Sequence, residues 1–209
     1  MKIAILGGTF DPIHKGHLAA AHAVAKTFDI DEVHFIPAFS PPHKPSSKIT
    51  SPFHRSAMIA LATSKIVRFT LSTIEMDLLE PSYSVDTLKL MHQQYPNSRF
   101  IFIAGTDMYK EIDSWERYQQ LFRLTSFAIV NRPGFPMRND VSNVELIKQG
   151  SKACMGAQPA VYYLPSVDCD ISSTRIREEL KRGGHTSNWL EPAVRDYIDK
   201  HRLYGLGDF

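Results

Sequence analysis

The segment Gly7-Gly8-Thr9-Phe10-Asp11-Pro12-Ile13-His14-Lys15-Gly16-His17 restricts the fold of this chain more than any other. An apolar run, Lys2–Leu6, precedes it and reads as a buried strand. An alanine-rich helical stretch, Leu18–Phe28, follows. Paired glycines let the backbone turn at the strand's end and let a ligand approach it closely. His14 and His17 are three residues apart and share a face on the first helical turn. That turn also carries unpaired N–H groups and the positive end of the helix dipole, so a polyphosphate fits there.

The spacing matches neither G-x-G-x-x-G nor G-x-x-x-x-G-K-[ST], which sets aside the dinucleotide fingerprint and the P-loop. His-x-x-His can chelate a metal, yet no H-E-x-x-H pattern or adjoining carboxylate completes a ligand set. Apolar runs at 2–6, 32–36, 99–104 and 127–130, with weaker ones at 67–72 and 161–164, alternate with amphipathic stretches. Helices are expected at 18–28, 52–64, 85–94, 115–124, 144–148, 174–181 and 192–200. This alternation predicts an α/β fold, a largely parallel sheet flanked by helices. Ligands of such sheets sit beyond the carboxyl ends of strands, where the opening motif falls.

At 209 residues the chain suits one domain over residues 1–209 that ends in a helical segment. A formal charge of +2 gives no general attraction to nucleic acid or membrane, and no apolar run reaches the length of a bilayer span. Cys154 and Cys169 form no C-x-x-C pair, which speaks against a disulfide framework or structural zinc. The absence of a signal-peptide core gives a cytoplasmic expectation. Homo-oligomer formation stays open.

A second phosphate site is suggested by Ile171-Ser172-Ser173-Thr174-Arg175-Ile176-Arg177. Hydroxyls before a helical run are ordinary caps. Two arginines in the first turn oppose the helix dipole, and they make sense when an anion sits there too.

With these residues the chain resembles the nucleotidylyltransferase superfamily, whose H-x-G-H motif binds triphosphates. GGTFDPIHKGH and ISSTRIR are similar in particular to the bacterial nicotinate-nucleotide adenylyltransferases, from Lys2 to about Tyr204. The resemblance implies a Rossmann-like nucleotidylyltransferase fold and adenylyl transfer from ATP to nicotinate mononucleotide, giving nicotinate adenine dinucleotide and pyrophosphate. It implies catalytic roles for His14 and His17, and ATP contacts from Gly7, Gly8, Thr9, Phe10, Gly16, Ser173, Thr174 and Arg177. Arg175 falls at a variable position. Mg²⁺ is expected with ATP, since it bridges triphosphate oxygens with few protein ligands.

On the acceptor side, Pro41-Pro42-His43-Lys44 looks like the family's P-P-H-K/R segment, with His43 and Lys44 near a nucleotide phosphate. Pro81-Ser82-Tyr83-Ser84-Val85-Asp86-Thr87-Leu88 looks like P-S-Y-T-x-D-T-L. Ser84 is an expected N-cap, and N–H groups around it suit a nicotinate carboxylate, with Thr87 beside them. Asp107, in Gly105-Thr106-Asp107, has three open readings: a ribose contact, help to a metal, or a helix cap. Trp115 stands where the family stacks a tryptophan on the pyridine ring, but Glu116 follows where an aromatic residue is frequent.

Other acceptors remain as alternatives, phosphopantetheine or nicotinamide mononucleotide, as does a nucleotide sensor without turnover. The phosphopantetheine enzymes are typically shorter and lack the P-P-H-K and P-S-Y segments. The R-T-x-G-I-S-T-T sequence of glycerol-phosphate cytidylyltransferases is absent. A class I aminoacyl-tRNA synthetase would need an anticodon domain for which this chain has no room.

Overall fold

A computed structural model describes residues 1–41, 49–77, 83–131, 144–148, 150–165, 167 and 171–205. Seven parallel strands form one sheet in the order β3-β2-β1-β4-β5-β7-β6. They are β1 (Lys2–Gly8), β2 (Glu32–Pro37), β3 (Phe69–Leu71), β4 (Arg99–Gly105), β5 (Ser126–Val130), β6 (Val144–Leu146) and β7 (Val161–Leu164). Helices α1 (Lys15–Phe28), α2 (Pro52–Thr63), α3 (Ser84–Gln94), α4 (Thr106–Lys110), α5 (Tyr118–Leu124), α6 (Ser173–Lys181) and α7 (Pro192–Lys200) lie between and after the strands.

The period-two geometry of strands divides their side chains between two cores. Ala4 and Leu6 of β1 face one side with Phe35, Ile103 and Leu164, where residues of α1, α2, α6 and α7 pack. Ile3 and Ile5 face the other side with Phe102, Phe127 and Tyr163, against α3 and α5. Strands buried on both faces explain why the sequence runs are continuously apolar. Chain order reverses at β1, which pairs with β2 on one flank and β4 on the other. A crevice opens at such a reversal, beyond the carboxyl ends of the two strands. Among the described residues no helix is long and apolar enough to cross a membrane.

Three expectations are corrected. Residues 144–148 were expected as a helix, but Val144–Leu146 pairs in parallel with β7, and Ile147 N–H adds a bond to the Tyr163 carbonyl (2.8 Å). The open edge of β7 offers this short segment ready backbone partners, and pairing there outweighs its local pattern. The helix expected at 115–124 starts only at Tyr118, because Trp115 is extended and Arg117 is left-handed (φ 50°). Finally, α1 begins at Lys15 rather than Leu18, which puts His17 inside its first turn. The short α4 has no counterpart among the expected elements.

Candidate functional site

The glycines at the end of β1 make room for the neighbouring strand. A Cβ on Gly7 would come within 3.2 Å of the Phe102 ring on β4. Phe10 then turns through a left-handed conformation (φ 50°) and buries its ring edge-on to His17, with centroids 4.9 Å apart. His14 takes the N-cap of α1 in an extended conformation. Its backbone N–H donates to His17 Nδ1 (3.2 Å), and the two imidazoles stack at 3.7 Å. A neutral His17 whose Nδ1 accepts this bond carries its hydrogen on Nε2, as a fixed donor.

Residues 7–17 and 171–177 converge directly. Ser173 Oγ donates to the Pro12 carbonyl (2.9 Å), and Arg177 Nη1 donates to the Asp11 carbonyl (2.6 Å). Ser172 caps α6, accepting from the Arg175 N–H on its hydroxyl (3.2 Å) and from the Ile176 N–H on its carbonyl (3.1 Å). The first-turn N–H groups of Ser173 and Thr174 have no partner within the helix and suit an anion. Ile176 and Leu180, both fully buried, anchor this helix. Arg175 is turned elsewhere: its guanidinium lies over the Trp189 ring, 4.8 Å from the centroid. Lys15 likewise points away and donates to the Ser187 carbonyl (3.0 Å).

A cleft of about 660 Å³ lies at the carboxyl ends of β1 and β4. Its lining includes Thr9, His14, His17, Thr174 and Arg177, from the β1–α1 loop, α1 and α6, and Ser84, Thr87, Asp107 and Trp115, from α3, α4 and the segment before α5, the expected acceptor wall. Gly7, Gly8, Phe10, Gly16 and Ser173 line it too. Every proposed ATP and acceptor residue within the described part of the chain thus borders one cavity. His43 and Lys44 lie outside the described residues. Charged and titratable groups at its lining are Asp11, His14, His17 and Arg177 around the β1–α1 loop and α6, and Glu75, Asp107, Glu111 and Glu116 elsewhere.

The acceptor wall holds its own details. Ser84 is not the N-cap of α3, as expected. Tyr83 holds that place, and its carbonyl accepts from the N–H groups of Asp86 (2.9 Å) and Thr87 (3.1 Å). The Thr87 hydroxyl, within the first turn, donates to Glu75 Oε1 (2.7 Å). Asp107 folds back over Gly105, where an added Cβ would collide with its carboxylate. Trp115 stands edge-on to Phe102, with centroids 5.9 Å apart. Behind it, Arg117 Nη2 bonds Asp86 in the first turn of α3 (2.5 Å), and Arg117 Nε lies 3.5 Å from Glu116. The tryptophan corner is thereby pinned to the helix start.

Sequence reasoning missed the residues that brace the phosphate loop from behind. Arg55 is 1 % exposed and donates to the carbonyls of Thr9 (2.7 Å), Ala38 (2.7 Å) and Thr50 (2.9 Å). Burial lowers its pKa, while the charges of Asp11 and Glu75 oppose that. Asp11, 4 % exposed, accepts from the Tyr204 hydroxyl (2.7 Å) and the Thr50 N–H (3.3 Å). Burial and the Asp11 charge push the Tyr204 pKa far above its ordinary value, so the hydroxyl remains a donor. Neither Arg55 nor Tyr204 lies in a motif, and no periodicity points to them.

Among the described residues no group of three or more His, Cys, Asp or Glu side chains can hold a metal ion. The Asp107 carboxylate borders the cleft and fits a cation whose remaining ligands come from a triphosphate and water.

Comparison with known proteins agrees with this geometry. Residues 5–179 match the cytidylyltransferase-like family. A probable nicotinate-nucleotide adenylyltransferase of Shewanella frigidimarina is 37 % identical, over 98 % of this chain and 100 % of its own. One from Geotalea uraniireducens is 38 % identical, over 98 % of each chain. The structure of Plasmodium falciparum nicotinic acid mononucleotide adenylyltransferase complexed with NaAD superposes with a TM-score of 0.80 at 23 % identity. That likeness covers 99 % of this chain and 98 % of the other, and it bears on fold alone.

Proposed function

This chain belongs to the nicotinate-nucleotide adenylyltransferase family, and from that premise we propose that it transfers the adenylyl group of ATP to nicotinate mononucleotide. The products are nicotinate adenine dinucleotide and pyrophosphate. One observation carries the reading most: the bonds from Ser173 to Pro12 and from Arg177 to Asp11 join both phosphate motifs in a single cleft wall.

In this reaction an oxygen of the mononucleotide phosphate attacks the α-phosphorus of ATP. A new P–O bond forms, the bond from that phosphorus to the bridging oxygen breaks, and pyrophosphate leaves with the electron pair. The attacking phosphate is already ionised near neutral pH, so no general base is needed. The protein's task is to hold two anions in line and to neutralise charge that grows on the leaving group. His17 Nε2–H, His14, the first-turn N–H groups of α6 and Arg177 supply donors on the triphosphate side. Magnesium, when bound with ATP, would screen the triphosphate charge, and Asp107 would be the carboxylate of the cleft that meets it. Across the cleft, Trp115 offers a flat apolar face to the pyridine ring, an attraction of about 0.5–2 kcal/mol for a pyridinium. The N–H groups at the start of α3, around Ser84, suit its carboxylate. ATP as co-substrate fits a cytoplasmic setting.

The direct test mixes the protein with ATP, magnesium and nicotinate mononucleotide and follows pyrophosphate and dinucleotide together. Parallel reactions take nicotinamide mononucleotide and phosphopantetheine. Pyrophosphate release with the nicotinate acceptor is the expected result. Binding of ATP without release from any acceptor would overturn the proposal in favour of a sensor.

A further inference from the structure

The phosphate loop is fastened by a residue almost two hundred positions away in the chain. After α7 the backbone makes a tight turn at Leu203–Gly205, with Tyr204 in a left-handed conformation (φ 65°). This aims the Tyr204 hydroxyl at Asp11 Oδ1 (2.7 Å). Asp11 is one residue from Phe10, which packs on His17, and its own carbonyl takes the Arg177 bond (2.6 Å). The other carboxylate oxygen receives the Thr50 N–H, and Thr50 in turn gives its carbonyl to Arg55, which also holds Thr9. Tyr204, Asp11, Thr50, Arg55 and Thr9 make one connected chain of bonds around the back of the loop. None of its links requires a ligand.

We propose that Tyr204 is a positioning residue of the triphosphate site: its hydroxyl holds Asp11, and through Asp11 the loop that presents His14 and His17. The inference rests on the adenylyl-transfer reading for its role in turnover, but its binding consequence concerns ATP alone. Without the hydroxyl, one buried carboxylate oxygen loses its short charge-assisted partner, and the loop gains alternatives to its present course. Preorganised sites are sensitive to shifts of this kind. Among the described residues, the acceptor wall, built on α3 and the Trp115 corner, has no bond to Tyr204 and remains as it is.

The experiment compares the full chain with Tyr204→Phe and a control, Tyr197→Phe. The Tyr197 hydroxyl lies 2.9 Å from His54 Nδ1, at the packing of α7 on α2, so the control loses a bond of similar length from the same region. ATP affinity is measured by calorimetry with magnesium present, and KM for each substrate by pyrophosphate release. Tyr204→Phe is expected to weaken ATP binding about five- to tenfold, with the acceptor KM within about twofold of wild type. Tyr197→Phe should leave both unchanged. Unaltered ATP affinity in Tyr204→Phe overturns the proposal. Equal weakening in both variants, or equal weakening toward both substrates, overturns it as well, because general loosening then suffices. A wild-type protein that binds ATP but releases no pyrophosphate refutes the catalytic reading only, and the calorimetric comparison still decides the role of Tyr204. Failure of the wild type to bind ATP refutes both.

Discussion

The imidazole of His17 does two separable jobs, and a pair of substitutions divides them. Its Nδ1 accepts the His14 N–H, which secures the start of α1, and in the proposed mechanism its Nε2–H is a donor to the triphosphate. Asn places an acceptor near the Nδ1 position without reaching Nε2, whereas Gln places a donor near Nε2 without the cap. The cap bond is worth about 1 kcal/mol, and the ring contacts with Phe10 and His14 add about 1 kcal/mol more. His17→Gln should therefore lower Tm by roughly 4–8 °C in a domain of this size. His17→Asn keeps the cap bond and should lose about half as much. Turnover should order the other way. Loss of a preorganised donor raises the barrier by about 3 kcal/mol, so His17→Asn should fall about 10²-fold in kcat, while His17→Gln retains more. Single-turnover pyrophosphate release, measured well below both melting points, gives the second ordering. If turnover simply follows Tm across the two variants, His17 is a cap and not a catalytic donor.

Three further outcomes follow from other parts of the site. Arg55→Met orphans three carbonyls and leaves Asp11 and Glu75 without their buried cation, so urea denaturation should show a loss of about 3–5 kcal/mol. Arg55→Lys should rescue little, since one ammonium cannot span the same fork. The Tyr204 pKa is raised above its ordinary 10.0, so its contribution to stability is complete below that pH and is lost as pH rises beyond it. The wild type should then lose about 1.4 kcal/mol per pH unit more than Tyr204→Phe above pH 10, and parallel slopes in thermal melts would contradict this. Glu116→Gln removes a half-exposed negative charge from the cleft rim. The ratio of kcat/KM for nicotinate over nicotinamide mononucleotide should rise about two- to fivefold, and an unchanged ratio would show that Arg117 already cancels the charge.

Local signals account for what could be read without coordinates. The buried strands announced themselves because sandwiching between helices demands unbroken apolar runs. The phosphate walls were legible because a ligand's needs are written in contiguous residues, 7–17 and 171–177. Edge strand β6 was not, since its pairing depends on β7 and not on any pattern within Val144–Leu146. The start of α5 was missed because a left-handed Arg117 is fixed by its bond to Asp86, 31 residues earlier. Arg55 and Tyr204 escaped for the same reason: their partners are backbone carbonyls and a carboxylate distant in sequence. Ser84 misled for a different reason, as the helix it was expected to cap starts one residue earlier than its hydroxyl suggested, with Tyr83 at the N-cap.

The span between Asp11 and Tyr204, 193 residues, also sets a clock. Translation at about 5–20 residues per second separates the two by roughly 10–40 s, and the partners of Pro12 and Lys15 arrive only shortly before the end. For most of that interval the loop that carries the histidines has the early braces from Thr50 and Arg55 and lacks the late ones. A chain cut short before α6 therefore lacks the Ser173, Arg177 and Tyr204 contacts that complete the shape of this loop.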